Sequence, residues 1–259
     1  MKNRLELMKE LARRAGRIQL DRLGDSHDIQ YKGAINLVTE VDKKCEEMIV
    51  GEVQKHFPGD DILAEEGGGD RTSSNIRWHI DPLDGTVNYA HGFPFFCVSL
   101  AIEVEGNLHA GVIYDPNRDE LFEAFTGKGA MMNGRPIRVS KNNPLEKSMV
   151  ATGFAYSVRE DEKLDNLGNF SKFIKRARAV RRPGSAAIDL AWVACGRLDG
   201  FWEIFLKPWD MAAGVVIIRE SGGNVSSFDG SPYDLYGTEI LASNGAIHSE
   251  MSALLVAER

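Results

Sequence analysis

Cysteine is scarce in this sequence: Cys45, Cys97 and Cys195 are odd in number, far apart and without any C-x-x-C spacing. That argues against a disulfide framework and a zinc knuckle and fits a reducing compartment. Long apolar runs are missing as well, since even Phe93 to Ile102 is bounded by Gly92 and Glu103, too short for a membrane span. The opening Met1-Lys2-Asn3-Arg4-Leu5-Glu6 puts an acid inside a helical pattern where a secretory signal would be apolar. A cytoplasmic protein with no membrane partner is therefore expected. Cations are in deficit too, 31 Lys and Arg against 38 Asp and Glu, for a net charge of -7. Such a chain is a poor nucleic-acid surface and a better host for cations.

What is present is an ordinary globular composition over 259 residues, enough for a substantial core. Leu5, Met8, Ala12, Ala15 and Ile18 recur at helical spacing, predicting an amphipathic helix that Gly24 ends. A polar loop with Lys32 and Gly33 follows, then Thr39 opens a second helix whose Val41, Cys45, Met48, Ile49 and Val53 share a face. Ile62 to Ala64 and Ile76 to Ile80 read as short buried strands, each ending in carboxylates. Phe95 to Ala124 reads as an antiparallel meander with turns at Glu105-Gly106-Asn107 and Asp115-Pro116-Asn117. Helices and strands then alternate: a strand from Ser148 to Thr152, a helix near Glu160 to Ile174, and an Ala-rich helix from Gly184 to Cys195. A strand from Leu198 to Phe205 and helices from Pro208 to Ser221 and Ile247 to Ala257 complete the chain. With no repeat or linker, residues 1–259 are expected to form one unit, an α+β half to about residue 145 and an α/β half over 146–259.

Four acidic positions follow apolar segments: Glu65, then Asp81 and Asp84 in Asp81-Pro82-Leu83-Asp84-Gly85-Thr86, and Asp210 in Pro208-Trp209-Asp210. Singly, each has an ordinary explanation. Asp84-Gly85 suits a turn, Glu65-Glu66 before Gly67-Gly68-Gly69 a solvated loop, and Asp210 a charge complementing a helix N-terminus. Together, carboxylates converging on one sheet edge repel one another unless a divalent cation neutralises them, which points to magnesium. Pro82 is expected to hold the chain in a turn, so that Asp81, Asp84 and the Leu83 carbonyl face one point as hard oxygen ligands. Gly85 and Thr86 then open a short helix through Asn88 whose exposed amides suit a phosphate. Two ions about 3.5–4 Å apart clamp the attacking water and the leaving oxygen of an in-line displacement, with no covalent intermediate required.

The residues Trp78-His79-Ile80-Asp81-Pro82-Leu83-Asp84-Gly85-Thr86-Val87-Asn88-Tyr89 resemble the first signature of the inositol monophosphatase family, and Trp209-Asp210-Met211-Ala212-Ala213-Gly214 the second. Lys32 to Asp42, Glu65, Gly184-Ser185-Ala186 and Glu203 fall at the family's order and spacing, so the resemblance spans nearly the whole chain. It implies a layered αβαβα sandwich of the inositol monophosphatase and fructose-1,6-bisphosphatase type, an α+β fold that periodicity alone does not show. It implies two or three Mg2+ per site, replaceable by Mn2+, held by Glu65, Asp81, the Leu83 carbonyl, Asp84 and Asp210. Gly85 and Thr86, with Asp84 and Asp210, are implied to bind the substrate phosphate, and Asp42, Thr86 and Glu65 to activate water. On helical pattern alone Asp42 would be a surface charge. Gly184, Ser185, Ala186 and Glu203 are implied to contact the polyol hydroxyls, where a carboxylate can accept from vicinal OH groups. The resemblance implies that Lys32 falls in the family's mobile loop. A homodimer and lithium inhibition are further family expectations. The departures, Ala64 for a frequent Gly or Ser and Tyr89 for a frequent Phe, remove no side-chain ligand.

Three alternatives remain to be weighed. A haloacid-dehalogenase-type phosphatase also uses an Asp-Gly-Thr turn, but it places one residue between its two aspartates where Pro82 and Leu83 both stand here. A non-catalytic protein that senses metal or sugar phosphate would keep the fold. Related enzymes act on fructose 1,6-bisphosphate, histidinol phosphate or adenosine bisphosphates, and the basic run Arg176, Arg178, Arg181 and Arg182 would suit a second phosphate, although an exposed loop or subunit interface explains it equally.

Overall fold

The computed structural model describes residues 1–24, 30–31, 37–67, 74–155, 158 and 165–257; Lys32, Gly33, Gly68, Gly69 and Glu160 lie outside them. Helices α1 (Lys2–Arg22) and α2 (Glu40–His56) flank a small antiparallel ladder of β1 (Gln30–Tyr31) and β2 (Leu37–Val38). Thr39 caps α2, its hydroxyl accepting from the Val41 and Asp42 amides while the Asp42 carboxylate reaches back to the Thr39 amide. Then come β3 (Asp61–Ala64), β4 (Ile76–Asp84), the short helix α3 (Thr86–Ala90), β5 (Cys97–Val104), β6 (Asn107–Asp115), β7 (Glu120–Phe125), β8 (Ala130–Met132) and β9 (Arg135–Pro136). β3 to β9 form a seven-stranded sheet in sequence order, antiparallel except for the β3–β4 pair.

The second sheet takes β10 (Met149–Thr152), then α4 (Leu167–Ile174), β11 (Ala179–Arg181), α5 (Ala186–Ala194), β12 (Gly200–Ile204), α6 (Pro208–Glu220), β13 (Asn224–Ser226), β14 (Glu239–Ser243) and α7 (His248–Val256). Its strand order is β11-β10-β12-β14-β13. Helices α1 and α2 cover one face of the large sheet, α5 and α6 fill the space between the sheets, and α4 and α7 cover the outer face of the small sheet. This is the five-layer αβαβα sandwich. Most of the longer strands and helices sit within a few residues of their sequence expectation, although the helix expected near Glu160 to Ile174 begins at Leu167; β8, β9, β11 and β13 are too short to carry a periodic signal, and the five-residue β14 was not anticipated.

Strand β5 shows how the layers sort side chains. Val98, Leu100 and Ile102 enter the core under α1 and α2, whereas Cys97 and Ala101 join the core on the α5–α6 side. Large residues face outward helices and small ones face α6. At Gly111 on β6 an added Cβ would lie 2.5 Å from the Ala213 carbonyl oxygen and 2.8 Å from its Cα, so sheet and α6 meet backbone to backbone. Helix α6 is buried from Met211 to Ile218, as suits a helix apolar on every face. No helix among the described residues is long and apolar enough to cross a membrane.

One local expectation is corrected. Asp81-Pro82-Leu83-Asp84 is not a free turn beyond the strand; β4 runs through it with a bulge. Asp81 pairs with Ser99 and Asp84 with Cys97, so three steps on β4 oppose two on β5. Proline is tolerated because the bulge spares it a ladder bond, and the kink re-aims successive side chains.

Candidate active site

The bulge sets the first two acids. Asp81 is buried, and its Oδ1 accepts the Leu83 amide at 2.9 Å. Asp84 is half-buried, and its Oδ2 accepts the Ser185 hydroxyl at 2.6 Å and the Ala187 amide at 2.7 Å. These bonds join the large sheet to the start of α5, about a hundred residues along the chain. Gly85 follows with φ 97°, and a Cβ there would lie 2.9 Å from the Phe95 carbonyl oxygen, so both conformation and space call for glycine. Asn88 on α3 donates to the carbonyls of Phe95 at 2.7 Å and Pro183 at 2.9 Å, again tying the two halves.

Asp42 is buried on α2 rather than displayed on its surface. The Thr39 hydroxyl donates to its Oδ2 at 2.5 Å and the Thr86 hydroxyl to its Oδ1 at 3.0 Å. The same Thr86 hydroxyl lies 3.1 Å from the Leu83 carbonyl oxygen. Burial pushes the Asp42 carboxyl up to about 6 against these hydrogen bonds. Glu65 stands in the turn after β3, its amide bonded to the Ile80 carbonyl at 3.2 Å. Glu46, one turn beyond Asp42 on α2, accepts the Glu66 amide at 2.7 Å and so holds that turn. Sequence reading missed Glu46, whose signal was an acid four residues from Asp42 on the apolar face of the helix.

From the second half, Asp210 lies in the first turn of α6, its Oδ2 accepting the Lys207 amide at 2.7 Å. The Ser99 hydroxyl on β5 donates to the Trp209 carbonyl at 3.1 Å and pins this helix start against the large sheet. Ser185 caps α5 after Gly184, and Ala186 is its first residue. Glu203 is buried near the end of β12. Burial pushes its carboxyl up to about 8, with Arg182 opposing. Asp189 on α5 is a further buried acid that sequence reading missed, and its Oδ1 has no hydrogen-bond partner among the described residues. Burial raises it well above the carboxylate range, with Glu203 and Asp84 adding to the lift and Arg182 opposing.

The carboxylates therefore share one electrostatic environment. Asp81 is raised well above its ordinary value by burial, then by Glu65, Asp84 and Asp210. Asp84 is raised by burial despite the hydrogen bonds it accepts from Ser185, Ala187, Ala186 and Cys97, and Asp210 by burial and by Asp84. Among the described residues no three His, Cys, Asp or Glu side chains already stand in a coordination cage. The donor set nevertheless fits a hard divalent cation: Asp81 and Asp210 each have one oxygen anchored by a backbone amide and the other without a hydrogen bond among the described residues. Mutual repulsion among such acids is what a bound dication relieves.

The sequence profile of the Inositol monophosphatase family matches residues 1–259. The chain belongs to the inositol monophosphatase family. An inositol-1-monophosphatase of Synechocystis is 47% identical over 98% of this chain and 88% of its own. The Nus factor SuhB of Pseudomonas aeruginosa is 42% identical over 94% of this chain and 92% of its own. The solved inositol monophosphatase of Anabaena superposes with a TM-score of 0.90 at 43% identity, covering 98% of this chain and 95% of that one.

Proposed function

We propose that this protein is a magnesium-dependent phosphomonoesterase that hydrolyses inositol monophosphate by direct in-line attack of water. The observation that carries the reading is the meeting of Asp84 with the start of α5 beside the buried Asp42–Thr86 pair, in a chain that matches the family throughout. Glu65, Asp81, the Leu83 carbonyl, Asp84 and Asp210 would hold two or three Mg2+, which Mn2+ could replace. Bound there, the ions would polarise the phosphoryl oxygens and make a coordinated water more acidic. Asp42, ionised at neutral pH, takes the Thr86 proton in a hydrogen bond and leaves the threonine oxygen free to accept from water; Glu65 completes this trio. The amides at Gly85 and Thr86, with Asp84 and Asp210, seat the phosphate. Gly184, Ser185, Ala186 and Glu203 face the polyol. Water adds to phosphorus as the ester oxygen leaves and is protonated, giving free polyol and inorganic phosphate.

Because the acids come from both halves, residues 1–259 act as one catalytic unit. We place it in the cytoplasm as a homodimer with no nucleic-acid partner. Hydrolysis of inositol monophosphate with and without magnesium tests the reading. Asp84→Asn is expected to lower kcat by at least about 100-fold. A parent without magnesium-dependent hydrolysis would overturn it and leave the non-catalytic role of sensing metal or sugar phosphate, while an Asp84→Asn protein as active as the parent would place the catalytic site elsewhere. Arg182 favours one alternative substrate class: it is exposed at the rim, and a Cβ on Gly184 would lie 2.8 Å from its Nη1. A panel including fructose 1,6-bisphosphate, histidinol phosphate and adenosine bisphosphate decides, since preference for a bisphosphate that is lost in Arg182→Ala would replace inositol monophosphate as the substrate.

A further inference from the structure

Glu203 is an unusual group to find held still, because neither of its carboxylate oxygens has a hydrogen bond among the described residues. What lies against it is Gly153, the residue after β10. A Cβ built on Gly153 would stand 2.2 and 2.3 Å from the two oxygens and 2.4 Å from Cδ, so the carboxylate rests on the bare backbone. No side chain fits there without moving the carboxylate, since real Cβ atoms do not approach other atoms so closely.

The position of Gly153 is in turn fixed by a closed ring of buried hydrogen bonds. The Trp202 indole donates to Asn166 Oδ1 at 3.0 Å; Asn166 Nδ2 donates to the Gly153 carbonyl and to Thr152 Oγ1, both at 2.8 Å; and Thr152 Oγ1 donates to the Trp202 carbonyl at 2.6 Å. The amide orientation is forced, because an indole N–H only donates and a carbonyl only accepts. Thr152 and Trp202 are also register partners at the end of the parallel β10–β12 ladder, so the residues that follow them, Gly153 just past β10 and Glu203 on β12, come side by side. Trp202 stacks on Phe173 of α4 at 3.9 Å between centroids, anchoring the ring to the outer layer.

The geometry points to Gly153 as a positioning residue that sets substrate selectivity: its missing side chain is the seat of the Glu203 carboxylate, and the Asn166–Thr152–Trp202 ring holds that seat in register. This rests on the reading of Glu203 as a polyol contact. A Cβ at residue 153 would push the carboxylate toward the substrate space and misplace the acceptor for vicinal hydroxyls, while phosphate and metal ligands lie on other elements.

The test is a double-mutant cycle with Gly153→Ala and Glu203→Ala. The readout is the ratio of kcat/KM for inositol monophosphate to that for 4-nitrophenyl phosphate, which has no vicinal hydroxyls, with Tm in parallel. Gly153→Ala is expected to lower the ratio about 10-fold or more, chiefly through KM for the polyol substrate. In the Glu203→Ala background the same change is expected to leave both the ratio and Tm where Glu203→Ala puts them. If Gly153→Ala alone fails to fold, recovery of a folded protein in the double variant supports the seat, and no recovery overturns it. An unchanged ratio in Gly153→Ala, or an equal loss with and without Glu203, also overturns the inference. A Glu203→Ala protein that keeps its polyol preference instead sinks the reading of Glu203 itself, and the inference falls with it.

Discussion

Asp42 shows how far a single side chain can depart from its sequence context. On an amphipathic helix an acid belongs on the wet face, yet here two hydroxyls and a backbone amide make burial tolerable. Below about 6 the carboxyl gains a proton and loses its accepting role, so kcat/KM is expected to fall as pH drops through that value. Asp42→Asn should lower kcat by about 100-fold or more and flatten that acid limb in a pH profile. Glu203 gives the complementary stability experiment. Its carboxyl is lifted from 4.5 to about 8 in the fold, so its contribution is intact below 4.5 and is lost as pH rises through about 8. Glu203→Gln cannot ionise. In ion-free buffer its Tm relative to the parent is therefore expected to improve between pH 5 and pH 9, by an amount worth a few kcal/mol at most; a constant difference would show that the carboxyl is not lifted.

At the scale of elements, the second sequence signature acquires a packing explanation for most of its residues. Asp210 is the proposed metal ligand, but Ala212, Ala213 and Gly214 are small because α6 is pressed between the large sheet and α5. A Cβ on Gly214 would lie 2.5 Å from Leu190 Cβ, as one on Gly111 would from the Ala213 carbonyl. Gly111→Ala must therefore push α6 off the sheet. It is expected to cost about 1–3 kcal/mol in denaturant unfolding, and to weaken magnesium binding because α6 carries Asp210. Loss of stability with unchanged metal affinity would separate the helix position from the site. The β4 bulge belongs to this scale too. A proline flanked by acids reads locally as a turn, and only pairing with β5 reveals a strand that bends without ending.

For the whole molecule, acids from both sheets are collected with few cations among them. Neutralising them should stabilise the fold as well as enable catalysis. An ion binding only the folded state contributes about 2.7 kcal/mol at 100 times its dissociation constant, and a chain of this size gains about 2–4 °C per kcal/mol, so magnesium is expected to raise Tm by roughly 5–10 °C. Differential scanning calorimetry of Asp84→Asn should show most of that shift gone. A full shift in the variant would place the stabilising ions elsewhere.

The sequence by itself determined the kind of chemistry and most of the long elements. A family signature is a local run of residues, and helix or strand periodicity is carried within a dozen neighbours, so the signatures Asp81 to Thr86 and Trp209 to Gly214 and the helices now seen as α1, α2 and α6 were legible. Tertiary structure decided which side chains meet. The Asp84 bonds to Ser185 and Ala187, the burial of Asp42 against Thr86 and the bare seat of Glu203 on Gly153 each join segments dozens of residues apart. No local pattern records such a distance. Short strands such as β11 and β13 likewise exist only because a neighbouring strand supplies their hydrogen bonds.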